Sequence, residues 1–356
     1  MKKINAVDVL IKNKNILWPE IEKYLNLIKN HPEFCQIKSK YQFLSDFHFQ
    51  IVSDYPQRKG KYFRPNLVML TAQSLGFDSN KSLPTAAAMQ ISEDWILIHD
   101  DVEDQSLQRR SQPALQKIYG NELAINAGDA LHALMWQVLS KNYSILDFKI
   151  AQKIQDEFFC MLNRTIFGQT IEIKWTQDNR FDLTQEDILL ILESKTGYYT
   201  IAGPMRLGAI LAGASDDQLE SIYQFGILLG RSFQIVDDLL DLTSDFAGQK
   251  NQQGNDIYEG KRTIMLVHLL KNASQSDKLK LQQILSKSRD QKKPDEVSWI
   301  ISKMNQYGSL DYGKKLAQEF AKEAQSIFDH DLKFLSKEPF RSELQSIFDF
   351  ILTRNH

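Results

Sequence analysis

Two clusters of carboxylates interrupt apolar sequence in this chain: Asp100, Asp101 and Asp104 in WILIHDDVED, and Asp237, Asp238 and Asp241 in FQIVDDLLD. In each, the acids fall at i, i+1 and i+4, so on a helix the first and last project from one face, a turn apart. Like charges so placed repel. The flanks Trp95, Ile96, Leu97 and Ile98, and Phe233, Ile235 and Val236, imply buried helices, where unpaired carboxylates are costly. A cation is therefore required, and oxygen ligands one turn apart suit a hard ion such as Mg²⁺, which binds through one or two carboxylates plus substrate phosphates. The clusters are far apart in the chain and must lie on different helices. Facing each other across a bundle, those helices would converge on one cavity.

The rest of the sequence agrees with a helical bundle. Glycine, at 16 of 356 residues, and proline, at 9, are both sparse, which argues for many helices and few turns. No segment alternates in the manner of a strand. The reading is all-α, one domain over residues 1–356, a helical bundle with a central cavity. Helices are expected over Pro84 to Val102, Glu122 to Ser140, Asp147 to Phe167 and Asp216 to Leu242; another, from Thr184, should be loosened or kinked at Gly197. The net charge of −2 gives no reason to expect nucleic acid as a partner. Cys35 and Cys160, far apart, fit neither a disulfide framework nor a thiolate metal site, and point to a reduced, cytoplasmic setting. No apolar run reaches the roughly 18 residues of a transmembrane segment.

Cations lie near the acids in sequence. PQRKGKYFRP holds Lys61 and Arg64 ahead of a helix start at Pro65, where backbone N–H groups favour anions. Arg109 and Arg110 follow the first cluster, and Lys195, Lys250 and Lys261 accompany the second, the latter two in the long polar stretch SDFAGQKNQQGNDIYEGKRT. Each cation alone is commonly a surface residue. Carboxylates, a divalent ion and cations together describe a diphosphate site, in which the ion acts as a Lewis acid on a leaving diphosphate.

These strings resemble the trans-isoprenyl diphosphate synthases, or polyprenyl synthetases, and among them the geranylgeranyl and farnesyl diphosphate synthases. DDVED followed by RR, and FQIVDDLLD, are similar to the family's two aspartate-rich motifs; GKYFRP, AGDAL, the GQ at Gly168, the KTG at Lys195 and EGKRT accompany them, over residues 60–263. The resemblance implies a homodimer that condenses an allylic diphosphate with isopentenyl diphosphate, using three Mg²⁺ ions. Asp100, Asp104 and Asp237 would hold the ions, with Asp101, Asp238 and Asp241 nearby, and Arg109, Lys195, Lys250 and Lys261 would take the allylic diphosphate. Lys61, Arg64 and Arg110, with Gly60 allowing close approach, would take isopentenyl diphosphate; Thr196 and Gln234 would stabilise the allylic cation.

Several positions depart from that pattern. Glu93 stands where the family usually has His or Gln against isopentenyl diphosphate, Gln90 replaces a usual Glu, Ser111 takes the place of a glycine, and Lys250 is displaced along its loop. A carboxylate beside a diphosphate is unfavourable unless protonated or bridged by a cation. Trp95, five residues before Asp100, is bulky enough to stop a growing chain, and the reading leans to a twenty-carbon product with fifteen next. Two alternatives stand beside it. A class I terpene cyclase would normally replace the second cluster with an Asn/Ser/Glu triad, and a non-catalytic subunit of a heteromeric synthase tends to lose the aspartates. Both cut against the residues present.

Overall fold

The computed structural model describes residues 4–29, 37–243 and 253–352, and nearly all of them are helical, as the sparse glycine and proline require. The helices are α1 (Ala6–Leu25), α2 (Gln42–Gln57), α3 (Phe63–Ser74), α4 (Ser79–Glu103), α5 (Leu115–Tyr119), α6 (Asn121–Leu139), α7 (Asn142–Ile145), α8 (Phe148–Gln177) and α9 (Gln185–Ile191). A π-helical segment, Leu192–Ala202, leads into α10 (Gly203–Leu211), α11 (Asp216–Thr243), α12 (Asn255–Glu259), α13 (Ile264–Asn272), α14 (Gln275–Leu285), α15 (Pro294–Gln306), α16 (Ser309–His330) and α17 (Phe340–Leu352). None is long and apolar enough to cross a membrane among the described residues. The chain divides into two compact units, one of residues 1–157, 204–214 and 335–347, the other of 158–203, 215–334 and 348–356.

In the first unit α4 is the central helix. Every residue from Thr85 to Ser92 is buried, and a helix buried on all sides belongs inside a bundle. It packs on α3 and α6. Gly128 of α6 makes one of these contacts possible, since a Cβ there would stand 2.3 Å from the ring of His99. The helix begins at Ser79, ahead of the expected Pro84, because the Asp78 side chain accepts the Asn80 amide and caps it earlier.

The expectation of no strands needs one correction. Gln108–Arg109 (β1) and Gln112–Pro113 (β2) form a two-residue antiparallel ladder, with Arg109 opposite Gln112. Arg110 and Ser111 turn it with φ of 54° and 61°, the left-handed geometry of the tightest hairpin turns. Ser111 therefore stands in a conformation that glycine adopts without cost.

In the second unit α11 is the organising helix, packed on α16 and on the π-helical segment. Two glycines bring the latter contact very close. A Cβ at Gly230 would lie 2.3 Å from Cα of Gly197, and one at Gly226 would lie 2.5 Å from Cα of Ala202. Gly197, expected to loosen its helix, is thus a point of close backbone approach inside a wide-turn segment. Below α11, the side chains of Ile235, Leu239, Leu242, Ile264, Met265 and Leu269 form the apolar core. The helix expected to end near Phe167 continues to Gln177, and α12 forms within the expected loop; residues 244–252 lie outside the described residues.

Left-handed backbone costs an L-residue about 1–2 kcal/mol relative to glycine. Ser111→Gly is therefore expected to raise the urea midpoint of unfolding, and an unchanged or lower midpoint would show that the turn is not strained.

Candidate active site

The first acidic motif is held by one buried residue of its own. Asp101 is fully buried. Both of its oxygens receive Arg109, whose Nε lies at 3.1 and 3.0 Å, and Oδ2 also takes the Tyr55 hydroxyl at 2.6 Å. Burial opposes the charge of Arg109, but Asp101 beside it more than restores it and holds the guanidinium above its ordinary pKa. Breaking a buried pair of this kind by removing one partner costs roughly 3–5 kcal/mol. Asp101 thus stands apart from Asp100 and Asp104: its lone pairs serve α2 and the hairpin.

Tyr55, which nothing in the sequence marked, is the hub of this region. Its hydroxyl also accepts the Leu115 amide at 3.1 Å, its carbonyl accepts Arg110 Nη1 at 2.7 Å, and Arg58 lies 4.5 Å above its ring. Arg58 in turn donates to the Arg109 carbonyl at 3.0 Å. Gln116 donates to the carbonyls of Asp101 at 2.6 Å and Ser106 at 2.9 Å, closing the end of α4. Asp100 and Asp104 emerge half-buried from this frame, with Arg109 Nη2 3.7 Å from Asp100.

Glu93 finds its place among the cations expected for isopentenyl diphosphate. Arg64 lies 3.3 Å and Arg110 3.8 Å from its carboxylate, so it is bridged by cations and does not oppose an anion bare. Arg110 also holds Asp94 at 2.9 Å, yet burial outweighs that pull and pushes the Asp94 carboxyl up to about 6. Gly60 serves the same arginine: a Cβ there would stand 2.8 Å from Arg110 Nη2. Lys61 is exposed beside it. Trp95 is buried, its ring centroid 4.9 Å from that of His132 and 5.7 Å from that of His99.

In the second unit the other motif is built alike. Asp238 is buried and accepts Gln234 Nε2 at 2.8 Å; burial pushes its carboxyl up to about 7. Asp241 accepts the Asp256 amide at 3.0 Å, so it caps the start of α12, and its carbonyl takes the Gly254 amide at 2.9 Å. Asp237 is half-buried on the same helix. The far end of α12 is held by cations. Lys292 donates to the Tyr258 carbonyl at 3.0 Å and Arg262 to that of Gly260, satisfying the orphan acceptors of a helix C-terminus. Lys261 leaves this turn to reach Glu259 at 2.7 Å and Asp256 at 3.9 Å.

Lys195 pairs with Glu172 at 2.6 Å, and the Thr196 hydroxyl donates to Gln234 Oε1 at 3.1 Å. Gly168 permits this, because a Cβ there would be 2.9 Å from the Lys195 amide. Glu172 and Asp256 are members of the site that the motifs did not single out; Glu172 lies one helical turn past Gly168 on α8, which is the signal that could have found it. Lys250 lies outside the described residues.

The donor set of the second unit fits a hard divalent ion. Asp237, Asp238, Asp241 and Asp256 are all oxygen donors, and burial drives the Asp256 carboxyl well above its ordinary range despite Lys261, as expected where negative charge is in excess. No three of His, Cys, Asp and Glu close into a cage by themselves among the described residues. Mg²⁺ ordinarily completes its shell with water and substrate phosphate oxygens.

Residues 46–304, which include both motifs, match the polyprenyl synthetase family. The chain belongs to that family. This polyprenyl synthetase is 30% identical over 300 residues to a short chain isoprenyl diphosphate synthase of Methanothermobacter thermautotrophicus, covering 83% of this chain and 87% of the relative. It is 30% identical over 307 residues to a geranylgeranyl diphosphate synthase of Saccharolobus solfataricus, covering 85% and 89%. In fold it is similar to geranylgeranyl pyrophosphate synthase of Corynebacterium glutamicum, with a TM-score of 0.84, 21% identity and coverage of 96% and 98%. The polyprenyl synthetase is thus a chain-elongating trans-prenyltransferase.

Tyr55→Phe leaves Asp101 and the Leu115 amide each short of a buried partner, at a cost of about 1–3 kcal/mol for such a group. The expected outcome is a lower melting temperature with a marked loss of condensation; full stability and activity would remove Tyr55 from its central position.

Proposed function

We propose that this prenyltransferase joins an allylic diphosphate head-to-tail to isopentenyl diphosphate in a Mg²⁺-dependent reaction, as a cytoplasmic homodimer. What supports the reading above all is the pairing at one helix end of Arg109 with Asp101 and Asp100, which places a cation and carboxylates together where a metal-bridged diphosphate would need both. Bound Mg²⁺ supplies Lewis acidity to the departing diphosphate. Asp100, Asp104 and Asp237 would hold such ions, with Asp238 and Asp241 as further oxygen donors, and Asp101 would act through Arg109.

Arg109, Lys195 and Lys261 then bind and orient the allylic diphosphate, and charge builds on its oxygens as the carbon–oxygen bond breaks. Cations already placed for that charge stabilise the transition state more than the ground state. The hydroxyl of Thr196 and the carbonyl oxygen of Gln234 present lone pairs to the allylic cation. Lys61, Arg64 and Arg110 orient isopentenyl diphosphate so that its double bond attacks that cation; the released diphosphate accepts the proton. Glu93 shares Arg64 and Arg110 with the incoming diphosphate, which tempers their pull on it.

The chain-length reading rests on Trp95. Its indole and the His132 ring close the α4–α6 seam one and a half turns before Asp100, and the twenty-carbon product is favoured over the fifteen-carbon one.

Incubation with isopentenyl diphosphate and each of the five-, ten- and fifteen-carbon primers, with and without Mg²⁺, tests the reaction. Asp237→Ala is expected to abolish condensation in a protein that still melts cooperatively, and unaltered turnover would sink the assignment. Trp95→Ala is expected to lengthen the products seen by chromatography; an unchanged product would leave Trp95 a core residue.

A further inference from the structure

The second unit contains a charged cluster that no step of the reaction uses. Glu193, at the start of the π-helical segment, accepts at Oε1 from Arg164 of α8 at 2.9 Å and from the Tyr223 hydroxyl of α11 at 2.7 Å, and at Oε2 from Arg231 of α11 at 3.1 Å. The two arginines are themselves fixed, Arg164 over the Tyr198 ring at 4.5 Å and Arg231 toward the Phe320 ring of α16 at 5.5 Å. All these groups are partly buried, where hydrogen bonds to charged partners are stronger than at an open surface.

One step further along both elements, Thr196 donates to Gln234, which donates to Asp238. Glu193 precedes Thr196 by as many residues as Arg231 precedes Gln234. The segment runs antiparallel to α11, Gly197 meeting Gly230 and Ala202 meeting Gly226, so the ties Glu193–Arg231 and Thr196–Gln234 cross that contact in opposite senses and together fix its register. Long π-helical stretches are rare and have no register of their own to impose on a neighbouring α-helix. Something must pin them.

We infer that Glu193 is a positioning residue that fixes the register of Leu192–Ala202 on α11 and so places Lys195 and Thr196. The inference rests on the roles proposed above for those two residues. Glu193→Gln probes this: with its amide oxygen toward Arg164 and Tyr223 it keeps those hydrogen bonds without the charge, while its NH₂ faces Arg231 and breaks that contact. The expected result is a fall in kcat of about tenfold or more with KM for isopentenyl diphosphate little changed, since small misplacements of reacting groups cost rate steeply. Arg231→Met should give the same loss, and the double variant no more than either single one, as residues acting through one contact do. A circular-dichroism melt accompanies each variant. Unchanged kcat in Glu193→Gln, losses that multiply in the double variant, or losses that track the melting temperature overturn the inference. Lys195→Ala and Thr196→Ala separate the two ideas: if they leave kcat intact, the proposed roles fail first; if they lower it and Glu193→Gln does not, only the positioning role falls.

Discussion

A fully buried carboxylate must keep a partner, and much of the first unit is arranged so that Asp101 does. Arg109 reaches it from the hairpin, Tyr55 from α2, and Gln116 from α5 holds the carbonyl of the same residue. Remove the carboxylate and Arg109 loses its anchor, Tyr55 its acceptor, and the end of α4 one of its ties. Asp101, expected only beside the ions, builds the frame in which Asp100 and Asp104 are presented.

The second motif repeats this division of labour in different terms. Asp241 caps α12, and that short helix is clamped at its other end by Lys292 and Arg262. The turn that follows delivers Lys261. A helix of five residues has little stability of its own, because nucleating a turn costs more than its few hydrogen bonds return. Its placement is thus borrowed from charges at both termini. Asp238 is occupied with Gln234, which is occupied with Thr196, so cation-stabilising groups and an acid share one chain of hydrogen bonds.

How much of this could be read from sequence follows from where each constraint lies. The acidic motifs and their helices were legible because carboxylates amid Trp95, Ile96, Leu97 and Ile98, or Ile235 and Val236, are costly in any fold that buries them. The family and the all-α fold followed. Tyr55 was not legible, since its importance comes from three partners spread over residues 101–115. The wide turns of Leu192–Ala202 were hidden too: Gly197 looks like a weak point in a helix until Gly230 is seen to press against it. Glu93 was flagged as a misfit, but only the positions of Arg64 and Arg110 reveal what neutralises it. Nothing local in composition marks the two units, because each is assembled from three separate stretches.

That interleaving bears on how the molecule is made. The first unit is completed by residues 335–347, where the Lys337 amide reaches the Ser74 carbonyl at 2.9 Å and Glu343 meets Lys12 at 3.2 Å. A ribosome delivers those residues only after the whole of 158–334. Domains formed from continuous sequence can fold as they emerge, one after another. Here Lys12 of α1 and the Ser74 end of α3 must wait for their last partners until residues 158–334 have been synthesised, whereas Asp101 finds Tyr55, Arg109 and Gln116 within the first stretch of the chain.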